Sequence, residues 1–570
     1  MAAPTPRAVF TTYARLWVAT EALLLHHDPF VVPHRYYVYA LVMAFVAATL
    51  RPSKATLCAA MLIRVAMFNA QAPCIWESNI WANIVDLAFV AACLSCPNVD
   101  AVVPSCANVT RLCMGFFYVG AGFWKINSAF LDPRASCASI YVVSLVSYLP
   151  AALTPPWLVR VAVLAAPSVT VLGELALGVA ILLPSRAARR LGISLAALLH
   201  YAICITPFPN QVPSFGVFCF ARFYFVMPDA WCAALSESLA WCCTVPSSAR
   251  AVGTRLAITA VVAGSALFTS TPGVDVDWCI PAQTAFCLVG WRAIQADVAA
   301  ARPRGRGKAQ SGGGPLLRAG HAALLGLTLL YVFGFQVLGL MDISATSPFS
   351  QIRAHGGSNH YLMPTSLLQR WAAPTTADGT GAPPSLFGGG VVRVTACTSA
   401  SMNALFPADC TDELPARVRT LLHDAGHVAL QFNPTVRVML GAEIRAQLPR
   451  WRPGSAFIPY TVPAYQLRRM LADARAANES FSLTYERLPG ALGDEAWRRS
   501  ASASQVVVDE DGRGGQRCRA RAAGALLWGA CADDEIAKQP PPSGWLTKIM
   551  LFFPYPILTD AELDVLPCLD

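Results

Sequence analysis

Charge is what this chain lacks: only 14% of its 570 residues are Asp, Glu, Lys or Arg, where an ordinary soluble domain carries roughly 25%. Hydrophobic residues make up 55% and the mean hydropathy is +0.46. So little charge cannot cover a water-facing surface, and lipid is the expected solvent for much of the chain. The apolar excess lies before Met341. It predicts a membrane domain over residues 1–345 and a smaller, non-membrane domain over 346–570. A basic stripe and any nucleic-acid-binding motif are also missing. The net charge of +9 comes from Lys and Arg scattered through short loops, which argues against a nucleic-acid partner. A Gly-rich phosphate loop and a nucleophile elbow are absent as well.

Fourteen of the 19 cysteines precede residue 345, mostly inside apolar runs, where a cysteine serves as a small buried hydrophobe. The other five are Cys397, Cys410, Cys518, Cys531 and Cys568. On an oxidising side their close spacings predict two local disulfides, Cys397 with Cys410 and Cys518 with Cys531. Metal-ligand spacing is not found among them. His423 and His427 stand four apart, the spacing of a helical metal pair, but without a third ligand a polar helix face is the expectation.

A helix needs roughly 20 apolar residues to cross a bilayer, with a range of about 17–25. Candidate spans lie near 11–26, 36–50, 56–72, 80–96, 112–128, 158–183, 190–206, 213–228, 256–270, 279–296 and 319–341, so about 9–11 crossings are expected. The first follows basic residues without a small-residue cleavage site and is read as a span that stays attached. Lys and Arg collect on the cytoplasmic side of membranes. Arg51 and Lys54, then Arg186, Arg189 and Arg190, then Arg302, Arg304, Arg306 and Lys308 fall on one side of this arrangement. The N-terminus is then cytoplasmic and the C-terminal domain lumenal, as in the endoplasmic reticulum or another secretory membrane. Of the two sequons, beginning at Asn108 and Asn478, only Asn478 would be glycosylated. The stretch from Arg302 through Gly314 reads as a charged linker.

After Met341 the apolar runs shorten and alternate, as in VVRVTAC from Val391, SLTYERL from Ser482 and QVVVDED from Gln505. These have the period of strands. Helical pattern occurs near Leu414–Leu430 and Ala464–Ala477. The fold class is therefore a polytopic α-helical membrane domain followed by an α+β, β-rich lumenal domain.

Ionisable residues inside spans are costly, and they face the protein interior or a cavity. Here they are Arg64, Asp86, Lys125, Glu174, His200 and Arg222. Structural pairing, such as Asp86 or Glu174 with Arg64 or Arg222, is the plainer account of any one of them. Lys125 lies in FFYVGAGFWKINSAFLDP beside Gly120, Ala121 and Gly122, small residues that admit a neighbouring helix. A lysine so removed from water is available as a base.

The segment AGFWK, Ala121 to Lys125, resembles the Ala-Gly-x-x-Lys motif of the vitamin K-dependent gamma-carboxylases and the wider group of HTTM membrane proteins that share their transmembrane domain. GELALGVAILL from Gly173 is similar to that family's acidic helix. ALLHYAICITPFPNQVPSFGVF from Ala197 is similar to its His helix and Ser-x-Gly-x-Phe turn, here Ser214, Gly216 and Phe218. FSQIRAHGGSNHYLMPT from Phe349 resembles a motif that follows the last span in distant relatives. The likeness covers residues 10–345, most closely from Trp76 to Arg222.

The resemblance implies that Lys125 deprotonates a reduced quinone such as vitamin K hydroquinone. Glu174 and His200 would assist, and Trp76, Asn79, Trp124, Ser214 and Arg222 would line the ligand. The resulting strong base would remove a proton from a glutamate side chain for carboxylation, and the lumenal domain would hold a secretory protein substrate. Two departures count against that activity. Asn79 stands where the family has a histidine, and an amide does not exchange a proton near neutral pH. Trp124 replaces a second lysine. The alternative is a protein of the same scaffold that binds or transports a lipid or quinone without carboxylating anything.

Overall fold

A computed structural model of the chain describes residues 4–27, 35–72, 75–206, 213–243, 279–300, 314–342, 345–353, 358–365, 390–403, 414–432, 457–487, 504–541, 546–557 and 567–569, with a few isolated positions such as His355. The expected span at 256–270, the linker after Arg302 and Cys410 lie outside them. The chain divides into two compact units. The first holds 1–71, 78–120 and 172–330, and the second holds 72–77, 121–171 and 331–570.

The first unit is helical. Its helices are α1 (Pro6–His27), α2 (Arg35–Leu50), α3 (Lys54–Gln71), α4 (Glu77–Ser95), most of α5 (Val102–Trp124), the C-terminal part of α7 (Pro156–Leu182), α8 (Arg186–Cys204), α9 (Pro213–Phe223), α10 (Pro228–Cys243), Cys279–Ala300 and Pro315–Leu329. The expected apolar runs in the described residues are thus helices, yet fewer of them suit a bilayer. Glu77–Ser95, Val99–Trp124, Pro156–Leu182 and Pro315–Leu338 are long and apolar enough to cross one. Phe215–Val226 and Pro228–Ala240, bent by 118°, would add a fifth as a single broken span. α2 has 16 residues and α9 only 11, below the length of a crossing helix.

Helices α5 and α7 touch with almost nothing between them. A Cβ on Gly178 would lie 2.6 Å from the backbone nitrogen of Val119, and one on Gly115 would lie 2.5 Å from Leu182 Cγ. Only glycine permits that approach. It carries Glu174, one turn before Gly178, toward Tyr118, one turn after Gly115.

The second unit is built on a seven-stranded sheet of order β7-β6-β5-β4-β1-β3-β8. The strands are β1 (Val391–Cys397), β3 (Tyr460–Pro463), β4 (Ser480–Arg487), β5 (Ser504–Asp511), β6 (Gln516–Arg521), β7 (Gly529–Ala530) and β8 (Tyr555–Pro556), all neighbours antiparallel. The alternating runs at Val391, Ser482 and Gln505 are β1, β4 and β5, as their period predicts. Helices Ala416–Asp424 and Ala464–Ala476 fall in the two predicted helical stretches. Val392, Val394, Leu483, Tyr485, Val506 and Val508 form the buried face of the sheet, against Leu467 and Leu471 of the second helix. A short parallel pair, β2 (Gln431–Phe432) with β9 (Cys568–Leu569), lies apart from the sheet.

Two disulfides are formed, Cys518–Cys531 and Cys137–Cys568. The first is the expected local pair. The expected Cys397 bridge is not made: Cys397 is a free, buried thiol, 3.7 Å from Met402 Sδ. A bulge between Val394 and Ala396 shifts the register of β1. It turns the Cys397 side chain into the core.

Candidate functional site

The first unit holds a cluster of four buried charges. α4 carries Asn79, Asn83 and Asp86, all buried, at the i, i+4, i+7 spacing of one helix face. They meet Glu21 of α1, Arg64 of α3 and Arg222 of α9, all buried. The Arg64 guanidinium bonds Glu21 through Nε and donates to Asn83 Oδ1 at 2.7 Å, Asn79 Oδ1 at 3.1 Å and Asp86 Oδ2 at 3.4 Å. Arg222 donates to Glu21 Oε1 at 2.6 Å, Asp86 Oδ2 at 2.9 Å and the Phe218 carbonyl at 3.1 Å. Trp17 Nε1 donates to Asp86 Oδ1 at 3.2 Å.

Two cations and two anions cancel, which is what lets the group be removed from water. Arg222 and Asn79, expected to line a ligand, both belong to this network, and the pairing of Asp86 with Arg64 and Arg222 is the structural account the sequence also offered. Arg222 is an internal counter-ion, and Asn79 Oδ1 accepts from Arg64 and serves the same network. Glu21 was missed, although a glutamate inside an apolar run was legible in ATEALLL.

A second polar group sits elsewhere in the same unit. His200 of α8 and Tyr118 of α5 are both buried, and His200 Nε2 shares a 2.6 Å hydrogen bond with Tyr118 Oη. Tyr118 also hydrogen-bonds Cys219 and lies within the electrostatic reach of Glu174. His200 thus meets Tyr118, which lies in the FFYVGAGFWK segment and was not among the expected site residues, and Glu174 acts on this pair through its charge on Tyr118. The His200 ring lies 4.8 Å from Phe215 and 6.3 Å from Phe223, centroid to centroid. Its Nδ1 is buried and has no hydrogen-bond partner among the described residues. Gly216 and Phe218 of the Ser-x-Gly-x-Phe turn lie within α9; the Ser214 side chain lies outside the described residues.

Lys125 belongs to the second unit and is buried. Expected near the end of the fifth span, it is the first residue beyond α5. The helix is stopped by Asn127, whose Nδ2 donates to the Trp124 carbonyl at 2.8 Å and the Ser350 carbonyl at 2.7 Å. Lys125 Nζ donates to the Ala121 carbonyl at 3.4 Å, a favourable place for a cation at a helix C-terminus. It lies 5.8 Å from the centre of the Phe130 ring and feels the Glu77 carboxylate. Trp124, expected at the ligand, is fully buried, and its Nε1 donates to the Val332 carbonyl at 2.7 Å. Trp76 is half-buried in the short segment before α4.

The FSQIRAHGGSNHYLMPT segment packs on this helix end. His360 Nε2 donates to the Phe123 carbonyl at 2.8 Å, and its Nδ1 accepts from Met363 N at 3.0 Å. Gln351 accepts from Cys137 N and donates to the Ala135 carbonyl, both at 3.1 Å. The segment is a clamp made by polar side chains, which explains its buried Asn, Gln and His residues.

His423 and His427 do not share a helix face, since the helix ends at Asp424. His423 is exposed. His427 is buried, with Nε2 donating to the Ser136 carbonyl at 3.2 Å and Nδ1 accepting from Ala429 N at 2.8 Å. Among the described residues no three His, Cys, Asp or Glu side chains are grouped to hold a metal. Asn478 is exposed at a turn between helix Ala464–Ala476 and β4, with φ 54°.

Residues 358–548 match the model of a family described as a domain of unknown function (DUF8388). The match lies within the second unit. It takes in β1 and β3–β7 of the sheet and none of the helical polar groups of the first unit. No curated protein and no solved structure matches the chain.

Proposed function

We propose that this is an integral membrane protein on the HTTM scaffold, with its C-terminal domain lumenal, whose helical interior binds a quinone or a lipid of similar polarity without carboxylating protein. The observation that carries this reading is His200. A buried imidazole fixed at Nε2 by Tyr118, with Nδ1 unpartnered and aromatic rings beside it, suits a flat apolar ligand bearing one polar oxygen. An unmet buried polar atom otherwise costs about 1–3 kcal/mol.

Two further features support the membrane. α7 exposes Val161, Leu164, Val169 and Leu172, an apolar surface that water penalises and lipid does not. The neutral four-charge network is what a low-dielectric surrounding demands. Asn79 supports binding over carboxylation, since its carbonyl oxygen is engaged by Arg64 and it has no proton to exchange.

Carboxylase activity stands as the second reading, and the buried Lys125 within the AGxxK match favours it. One experiment separates the two. Purified protein in nanodiscs is titrated with vitamin K quinone, with binding read from intrinsic fluorescence, and is then supplied with reduced vitamin K, labelled bicarbonate and a glutamate peptide. Binding lost in His200→Ala without label in the peptide is expected. Label in the peptide would establish the second reading, and absence of binding would defeat the first.

A further inference from the structure

The hairpin of β6 and β7 ends in an apolar finger at the edge of the sheet. Its two strands pair through Arg519 with Ala530 and Ala520 with Gly529, Cys531 N donates to the Cys518 carbonyl at 3.3 Å, and the Cys518–Cys531 disulfide staples the base. A turn closed by Ala525 N on the Ala522 carbonyl at 3.0 Å and by Gly524 at φ +76° shapes the tip. Leu526 and Leu527 are 91% and 84% exposed. Trp528 is 38% exposed, and the Arg521 guanidinium lies 4.9 Å over its ring. From Gly512 to Ala532 the chain has four arginines, Arg513, Arg517, Arg519 and Arg521, and no acidic residue.

We propose that this finger inserts into the headgroup boundary of a bilayer containing anionic lipid, an inference that rests on the membrane reading above. The layering decides the occupant. Two leucines at the tip suit the acyl region, a tryptophan under a guanidinium suits the interface, and Arg517 and Arg519 of β6, the latter also 3.5 Å from Asp509 of β5, complement lipid phosphates. Three apolar side chains are a small footprint beside the roughly 800 Å² that a stable protein interface buries on each partner. The same three suffice for an interfacial anchor. The disulfide holds the tip out without the ordering cost that a free loop would meet on binding.

The test uses the full chain in vesicles of phosphatidylcholine with and without phosphatidylserine. Leu527 is replaced by photo-leucine, whose diazirine cross-links whatever it touches. A second protein carries the probe at Arg513, at the opposite end of β6. Lipid recovered on the 527 probe at about tenfold or more over the 513 probe is expected, the partition of one buried leucine side chain. It should rise with phosphatidylserine and fall in the triple variant Arg517→Gln, Arg519→Gln, Arg521→Gln. Cross-linking to a second copy or another protein, or equal lipid at both probes, would overturn the inference while leaving the membrane reading intact. Release of the chain from vesicles by alkaline carbonate would overturn both.

Discussion

Cys137, the first residue of the helix Cys137–Val146, is joined by a disulfide to Cys568, 431 residues later. Cys568 also aligns with Gln431 in the β2–β9 pair, so the bond holds a strand as well as a chain segment. A native disulfide of this kind contributes about 2–5 kcal/mol. Cys568→Ser is expected to expose residues near 431 to protease in the otherwise intact protein. Non-reducing peptide mapping should recover Cys137 with Cys568, Cys518 with Cys531, and Cys397 as a thiol alkylated only after unfolding. A Cys397-containing bridge in that map would contradict the structure.

The buried charges make a second prediction. Arg222→Leu leaves the Glu21, Arg64 and Asp86 network with one unbalanced negative charge, and breaking such a group costs about 3–5 kcal/mol. Low yield and an aggregated elution profile in detergent are expected. Adding Glu21→Gln restores neutrality and should recover part of the monodisperse fraction. If the single variant elutes and melts as wild type does, the network contributes nothing to the fold.

His427 ties stability to pH. Burial disfavours its charged form and holds the imidazole down to about 4, and both ring nitrogens are committed as in the neutral tautomer. The unfolded chain binds a proton near 6.5, so between about 6.5 and about 4 it holds the proton that the folded chain refuses. Stability is therefore full above that window and falls with pH through it, by roughly 3 kcal/mol at 1.36 kcal/mol per unit. Denaturant unfolding between pH 7.5 and 4.5 should show this slope, and His427→Gln should flatten it. An unchanged slope in the variant would assign the effect to another group.

Lys125 distinguishes a helix-end cation from a base. With Nζ on the Ala121 carbonyl and the Glu77 charge nearby, Lys125→Arg is expected to express normally and to bind quinone. Lys125→Ala should lose yield, and the added Glu77→Gln should restore it. If Lys125→Arg folds but loses a quinol-dependent turnover that wild type shows, the lysine gives up its proton and the carboxylase reading gains its base, because Arg stays charged.

Glycosylation reports the side of the membrane. Asn478 is exposed at a turn, and the sequon at Asn108 lies in α5, where Arg111 donates to the Asn108 side chain at 2.8 Å. Expression in a secretory host should give one glycan, removed by endoglycosidase and absent from Asn478→Gln. A shift that depends on Asn108 would reverse the proposed orientation.

The sequence by itself determined what depends on near neighbours. Alternation at Val391, Ser482 and Gln505 suffices for β1, β4 and β5, because a strand shows opposite faces every second residue. The apolar runs suffice for helices, and Cys518 and Cys531 are close enough in sequence to meet across one hairpin. What only the tertiary structure decided is which distant residues meet. Glu21, Arg64, Asp86 and Arg222 lie on four helices, and no periodicity within one helix says which others adjoin it. The AGFWK pattern located Lys125 but not the end of its helix, which Asn127 sets by bonding Ser350, 223 residues on. Cys568 was the odd cysteine after residue 345 for the same reason, since its partner Cys137 stands 431 residues earlier in the chain. Local spacing carries secondary structure; the pairing of buried charges and thiols is settled only when packing has removed their alternatives in water.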